Sequence, residues 1–255
     1  MLSAQEVQEY TRDGQITYGG QLSEATLARL SDRVESFLAA CPGVSPDYIP
    51  NLIEQDASWL EFATLPEILD VVAQVLGDDI ILWGSALFCK SGTGGRATPW
   101  HQDGQYWPIR PLETCTVWIA FDPSTPENGC LRVIPGSHRE RKTFPHAVDN
   151  SDALILNQVL PNAESLGAAP RDVILQPGMF SVHDAYLVHG AEANNSGRRR
   201  GGLTFRYMPS TSYFDRELGA RQVAELGVVD ISQRQLHLVR GVDRCGRNDV
   251  FLGEH

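Results

Sequence analysis

Basic residues are scarce in this sequence: 21 Lys and Arg stand against 32 Asp and Glu, a formal net charge of −11 at pH 7. A general nucleic-acid binder carries a basic face, so this balance argues against that function; one local basic pocket remains compatible with it. Long apolar runs are missing too. No stretch approaches the roughly 20 residues that span a bilayer, so no membrane segment is expected. The opening MLSAQEVQEYTRDG lacks a basic segment followed by an apolar one, so no secretory leader is visible. The five cysteines (Cys41, Cys89, Cys115, Cys130, Cys245) are scattered, odd in number and never spaced CxxC. That excludes a zinc cluster and a disulfide framework, and reads as reduced thiols in a cytoplasm.

What is present is ordinary for a soluble globular chain: 255 residues, 42% hydrophobic and 21% charged. This suffices for one domain with a packed core. Ser3 with Glu6 forms a capping box for a first helix, and Asp13-Gly14 marks a turn. Ser23 caps a second helix, in which Leu27, Leu30, Val34, Phe37 and Leu38 recur at helical spacing as far as Cys41-Pro42-Gly43. A third helix is expected over Pro66–Leu76, ending before Gly77.

From Ile80 the pattern changes. Strands are expected over Ile80–Phe88, Thr114–Phe121, Cys130–Ile134, Met179–Val182 and Leu203–Met208, with Gly/Pro turns between them and an irregular stretch over 139–170. On TCTVWIAF, Thr114, Thr116, Trp118 and Ala120 share one face, and Cys115, Val117, Ile119 and Phe121 the other. Many short strands after a helical opening suggest a β-sandwich or jelly roll, not a parallel α/β sheet. No repeat or linker divides the chain. One domain over 1–255 is expected: a helical part to about 78, a β core over about 79–210, and a C-terminal helix and tail over about 211–255.

Seven histidines occur, at 101, 138, 146, 183, 189, 237 and 255. His138 in PGSH reads as a turn-stabilising hydrogen-bond former, His237 as part of a helix or loop in the tail, and His255 as the terminal residue. His101 and Asp103 differ, because they stand two apart in WHQDG. In extended chain such residues point the same way. One more histidine would complete a two-His, one-carboxylate face, which suits non-haem Fe(II) and leaves positions open for reactants. Spacing alone favours a plain His–Asp hydrogen bond, and it leaves His183 and His189 both open as the third ligand.

Several segments together resemble the phytanoyl-CoA dioxygenase family: EVQEYTRDGQI, HQDGQYWPIRP, TVWIAFDPSTPENGCLRVIPGSH, PGMFSVHDAYLVHGAEANNSGRRRGGLTFRY and LVRGVDRCGRNDV. Such proteins use Fe(II) and 2-oxoglutarate, with a second histidine in an HG context and an arginine eleven residues further on. Here these are His189-Gly190 and Arg200. The resemblance therefore implies His101, Asp103 and His189 as metal and catalytic residues, with His183 close by but off the metal. It implies Arg200 for the distal carboxylate of 2-oxoglutarate, since a guanidinium binds a carboxylate through two parallel bonds and stays charged when buried. Strand alternation puts Arg198 with Arg200 and turns Arg199 away. Thr116, Trp118 and Lys90 are expected beside the cosubstrate, Gln102 pointing away from the iron, and Gln105, Tyr106 and Trp107 towards the substrate, with Gln105 and Trp107 the main candidates.

The implied fold is a double-stranded β-helix (jelly roll) with helices packed outside one sheet. The implied reaction is hydroxylation of an unactivated C–H of a small metabolite, with O2 consumed and succinate and CO2 released. Related halogenases have a small residue at the position of Asp103, so its carboxylate favours hydroxylation over chlorination. Desaturation, ring formation or an acyl-CoA substrate are the alternatives. A non-catalytic metal-binding jelly roll and a zinc hydrolase are further readings, but neither needs a buried cation for a dicarboxylate. Arg139, Arg141 and Lys142 are a candidate anion site, and residues 139–170 a candidate lid or wall.

Overall fold

Ser3 starts the chain's first helix as its position promises. In the computed structural model, which describes residues 1–251, α1 covers Ala4–Asp13. Glu6 N–H donates to Ser3 Oγ at 3.3 Å, and Ser3 N–H donates to the Glu6 carboxylate at 2.7 Å, which satisfies two orphan donors reciprocally. A short strand, β1 (Gln15–Thr17), follows the turn. Ser23 caps α2 (Glu24–Ala40), whose stripe buries Leu30 and Val34 completely. Pro66 opens α3 (Pro66–Leu76), where proline lacks only an N–H that would be unpaired anyway.

The β core comprises β2 (Ile80–Lys90), β3 (Thr98–His101), β4 (Cys115–Ala120), β5 (Leu131–Val133), β6 (Arg171–Val173), β7 (Phe180–Asp184), β8 (His189–Ala191) and β9 (Arg200–Pro209). After β9 come α4 (Arg216–Leu226) and β10 (Leu236–Arg240). The larger sheet runs β1-β7-β4-β9-β2-β10; Ile49–Pro50 also pairs with β2, and Val250–Phe251 with β10. The smaller sheet runs β6-β5-β8-β3. Two antiparallel sheets with a core between them make this a jelly roll, the double-stranded β-helix.

The alternation on β4 explains how the layers divide. Cys115, Val117, Ile119 and Phe121 pack into the core shared with α2 and α3, while Trp118 and Ala120 face Val133 and Val173 of the smaller sheet. Both faces are covered, so every residue of β4 is buried. Strand β9 behaves the same way: Leu203, Phe205 and Tyr207 turn to the helices, and Arg200, Thr204 and Arg206 turn inward.

Two expectations need correction. His237 lies on β10, opposite Leu82 of β2, and not in a helix or loop, so the C-terminal segment extends the sheet beyond α4. The stretch 139–170 is not structureless, since Ala147–Val148 and Gln158–Val159 form a small antiparallel hairpin. His255 lies outside the described residues. No helix among the described residues is long and apolar enough to cross a membrane.

Candidate active site

His101 ends β3, and Asp103 begins a 3-10 turn over Asp103–Gln105. His189 opens β8, and the antiparallel register sets it directly opposite His101. The two strands approach closely because residue 190 is glycine: a Cβ there would lie 3.0 Å from Thr98 O and 3.2 Å from Trp100 N. One donor atom from each of His101, Asp103 and His189 falls within 4.8 Å of the others, and all three residues are buried. Nε2 of His101 is 3.4 Å from Asp103 Oδ1, and Nε2 of His189 is 3.8 Å from Oδ2.

The protonation pattern makes this a donor set. Nδ1 of His101 is 2.9 Å from Pro99 O, and Nδ1 of His189 is 2.9 Å from Leu187 O. A carbonyl only accepts, so each Nδ1 bears the proton, and in the neutral ring Nε2 keeps a free lone pair. Burial holds His189 well below the usual imidazole range. Burial opposes the Asp103 charge, but the imidazoles of His189, His101 and His183 outweigh it and hold the carboxyl well below its usual range. Two imidazole nitrogens and an ionised carboxylate thus face one buried space, a donor set that a cation would hold together. Two imidazoles and one carboxylate on one side suit Fe(II), and the backbone bonds to Nδ1 orient the ligands.

His183, on β7, is the rival. Its Nε2 is also 3.8 Å from Asp103 Oδ2, and its ring centroid is 4.7 Å from that of His189. But its Nδ1 is buried without a partner. Nothing holds a proton on Nδ1, so the ring is free to carry it on Nε2 and point it at Asp103. Tyr106 Oη donates to the other carboxylate oxygen, Oδ1, at 3.1 Å.

These groups open into a cavity of about 270 Å³ between the sheets. Thr116, Trp118, Trp107 and Arg200 all line it. Arg200 is buried with its guanidinium over the Trp118 ring (5.2 Å to the centroid), has no carboxylate partner among the described residues, and has an unbonded Nε. Burial pushes it down to about 10, which still leaves it charged at neutral pH. Its two neighbours differ. Arg199 turns away to pair with Asp122 at 2.7 Å and Glu35 at 2.6 Å, and Arg198 is exposed.

Two expected site residues are not brought to the cavity. Lys90 sits opposite Arg200 in the sheet, but its Nζ donates to the carbonyls of Ala191 (3.2 Å) and Glu192 (2.6 Å), tying β2 to the end of β8. Burial and the Arg200 charge push that amine down to about 6. Gln105 is outside the wall because the chain leaves the extended conformation after His101 and winds into the turn, so period-two alternation stops there. Gln102 does point away: its side chain donates to Tyr186 O (2.7 Å) and Lys142 O (3.1 Å) and accepts from Phe144 N–H (2.7 Å). Nor do Arg139, Arg141 and Lys142 form an anion site. Arg141 pairs with Asp184 and Glu113, Lys142 with Glu140, and Arg139 donates to Arg12 O. His138 bonds Thr11 O at 3.2 Å, so it ties its turn to α1 rather than closing the turn on itself.

Other residues complete the wall. Ile155 to Gln158 line it from within the 139–170 stretch, expected as a lid or wall, and Val228, Val229 and Ile231 line it from the segment after α4, which the sequence had not pointed to. Arg206 and Arg234 line it as well. Arg206 was within reach of the alternation, because it shares parity with Arg200 on one strand. Arg234 had no such signal.

The comparisons with known proteins agree with this geometry. The phytanoyl-CoA dioxygenase (PhyH) family model matches residues 10–202. A probable phytanoyl-CoA dioxygenase of Caenorhabditis elegans is 26% identical over 191 residues, which is 71% of this chain and 61% of that protein. The match thus spans about three fifths of that relative's length. An ectoine dioxygenase of Sphingopyxis alaskensis is 26% identical over 248 residues, 87% of this chain and 80% of that protein. Among solved structures, the non-heme alpha ketoglutarate dependent carbocyclase SnoK from nogalamycin biosynthesis shares the fold, with a TM-score of 0.69 at 23% identity over 84% of this chain and 86% of that one. With the family model covering roughly three quarters of its length, the chain belongs to the phytanoyl-CoA dioxygenase family.

Proposed function

We propose that this protein is an Fe(II)- and 2-oxoglutarate-dependent dioxygenase that hydroxylates an unactivated C–H bond of a small molecule. The observation that carries the reading is the pairing of two features in one cavity: the His101–Asp103–His189 donor set, and the buried, uncompensated Arg200. A metal-binding protein without catalysis, or a zinc hydrolase, needs the first feature but not the second.

His101, Asp103 and His189 hold the iron. Arg200 holds the distal carboxylate of 2-oxoglutarate through its N–H groups, and Trp118, with its ring under the guanidinium, helps to hold that group in place. Thr116, whose Oγ1 is buried and unbonded, offers a hydrogen bond beside the cosubstrate. Tyr106 bonds Oδ1 of the Asp103 carboxylate and His183 stands 3.8 Å from Oδ2, so the two bear on which oxygen faces the metal. Trp107 and the 155–158 and 228–231 segments exclude water from the substrate side. When bound, iron with 2-oxoglutarate and O2 supplies oxidising power, and the products are succinate, CO2 and a hydroxylated substrate. All five cysteines are free, which accords with a reducing compartment such as the cytoplasm.

The test is anaerobic reconstitution with Fe(II) and 2-oxoglutarate, followed by oxygen. A visible metal-to-ligand charge-transfer band before oxygen and succinate after it are expected. Absence of both, with iron shown to be bound, defeats the reading.

A further inference from the structure

The cavity has a second cationic end that the iron and 2-oxoglutarate do not use. Arg206 projects inward from β9, six residues along the strand from Arg200. Six strand residues span roughly 20 Å, so one small dicarboxylate anchored on the metal does not satisfy both arginines. Arg206 is 6% exposed, its Nε and Nη1 have no hydrogen-bond partner, and no carboxylate pairs with it among the described residues. Arg234 lies beside it, 4% exposed, and among the described residues its one side-chain hydrogen bond runs from Nε to Asn51 Oδ1 at 3.1 Å. Residue 84 of β2 has to be glycine for this arrangement, because a Cβ there would collide with the Arg234 guanidinium and come within 3.5 Å of the Arg206 side chain.

Each guanidinium lies over an indole: Arg206 Cζ is 5.4 Å from the Trp107 ring centroid, and Arg234 Cζ is 5.3 Å from that of Trp83. A guanidinium held by a cation–π contact keeps N–H groups that recognise anions through paired bonds. Two buried like charges with no directly paired carboxylate among the described residues repel each other and are poorly solvated, so the site is suited to an anion. The rest of this part of the wall, Tyr106, Trp107, Val228, Val229 and Ile231, is mostly apolar.

We propose that Arg206 and Arg234 form the substrate's anion subsite, so that the molecule oxidised here carries a compact anionic head group, a carboxylate or phosphate-type oxyanion, on an apolar body. This rests on the oxygenase reading above and narrows its substrate class.

The experiment titrates anions into the anaerobic Fe(II) protein saturated with 2-oxoglutarate, so that Arg200 is already occupied. The probes are inorganic phosphate, and hexanoate compared with hexanamide, read by calorimetry and by the shift of the charge-transfer band. Saturable binding of phosphate and hexanoate is expected, with hexanamide at least tenfold weaker. Arg206→Gln and Arg234→Gln should each weaken both anions at least tenfold while keeping the band and the melting temperature, and Arg206→Lys should recover part of the loss. If the band forms but neither anion binds, or the amide binds as well as the carboxylate, the subsite is refuted and the oxygenase reading stands. If Arg206→Gln loses the band itself, Arg206 belongs to 2-oxoglutarate and the proposal fails. If the unmodified protein shows no band, the oxygenase reading fails by itself; phosphate binding to the metal-free protein, sensitive to Arg206→Gln, still decides whether the pair is an anion site.

Discussion

His189 stands opposite His101 in the register of two antiparallel strands, with their ring centroids 4.2 Å apart. The relationship makes the proposed metal site a property of strand pairing, since His189 lies far along the chain from His101 and Asp103. Several consequences can be measured.

Removing a ligand should differ sharply from removing its neighbour. His101→Ala and His189→Ala should abolish stoichiometric Fe(II) binding, measured by metal analysis after desalting. His183→Ala should retain iron, with an affinity loss no larger than the roughly 10–100-fold of residues that orient ligands. Loss of iron in His183→Ala alone would show that His183, and not a residue of the proposed set, is a ligand.

Arg200→Ala should weaken 2-oxoglutarate without removing iron. Truncating one partner of a buried charge pair costs about 2–5 kcal/mol, so the cosubstrate Kd should rise by roughly 30-fold or more. Titration of the anaerobic charge-transfer band reads this directly. An unchanged Kd would mean that another cation meets the dicarboxylate.

Gly190→Ala should damage stability and metal binding together. The added methyl would press on Thr98 O and Trp100 N, which are backbone atoms of the strand that ends in His101. Overpacking of this kind costs about 1–3 kcal/mol, and here the displaced strand carries a ligand. Urea unfolding and iron affinity should both fall; a normal iron affinity would show that β3 and β8 tolerate the shift.

Acid stability offers a test away from the cavity. Asp13 accepts from Arg12 at 2.8 Å and from Arg171 at 3.0 Å. The Arg12 hydrogen bond, with Arg171 adding to it against the opposing effect of burial, lowers its carboxyl to about 2 from 3.8. A lowered carboxyl stabilises the folded state above its unfolded pKa and loses that contribution as pH falls through the folded value. Asp13→Asn should therefore be less stable by about 1–2 kcal/mol at pH 6, and the gap should close between pH 4 and pH 2. A gap that stays constant over that range would assign the effect to packing.

Local signals read from the sequence were those whose cause is local. The capping box at Ser3, proline at the start of α3 and the two faces of β4 each depend on residues within one turn or one strand, and all are seen in the structure. The spacing from His189 to Arg200 was also legible, through a resemblance. The places where local reasoning failed share a reason. A residue's place along the chain does not say where its side chain goes: Gln105, which follows the metal pair, winds into a turn, and Lys90, placed beside the cosubstrate by the resemblance, gives its amine to backbone carbonyls instead.

The helical opening, the β core, the two faces of β4 and a short set of candidate ligands were legible along the chain, because these follow from backbone periodicity and side-chain type. Which candidates meet was settled by the packing of distant segments. The register of β8 against β3 brought His189 to His101, backbone carbonyls set the tautomers of those two rings and not of His183, and a segment from beyond α4 carried Arg234 over Gly84 to Arg206. Such convergence depends on pairings between residues far apart in the chain, and no local pattern encodes them.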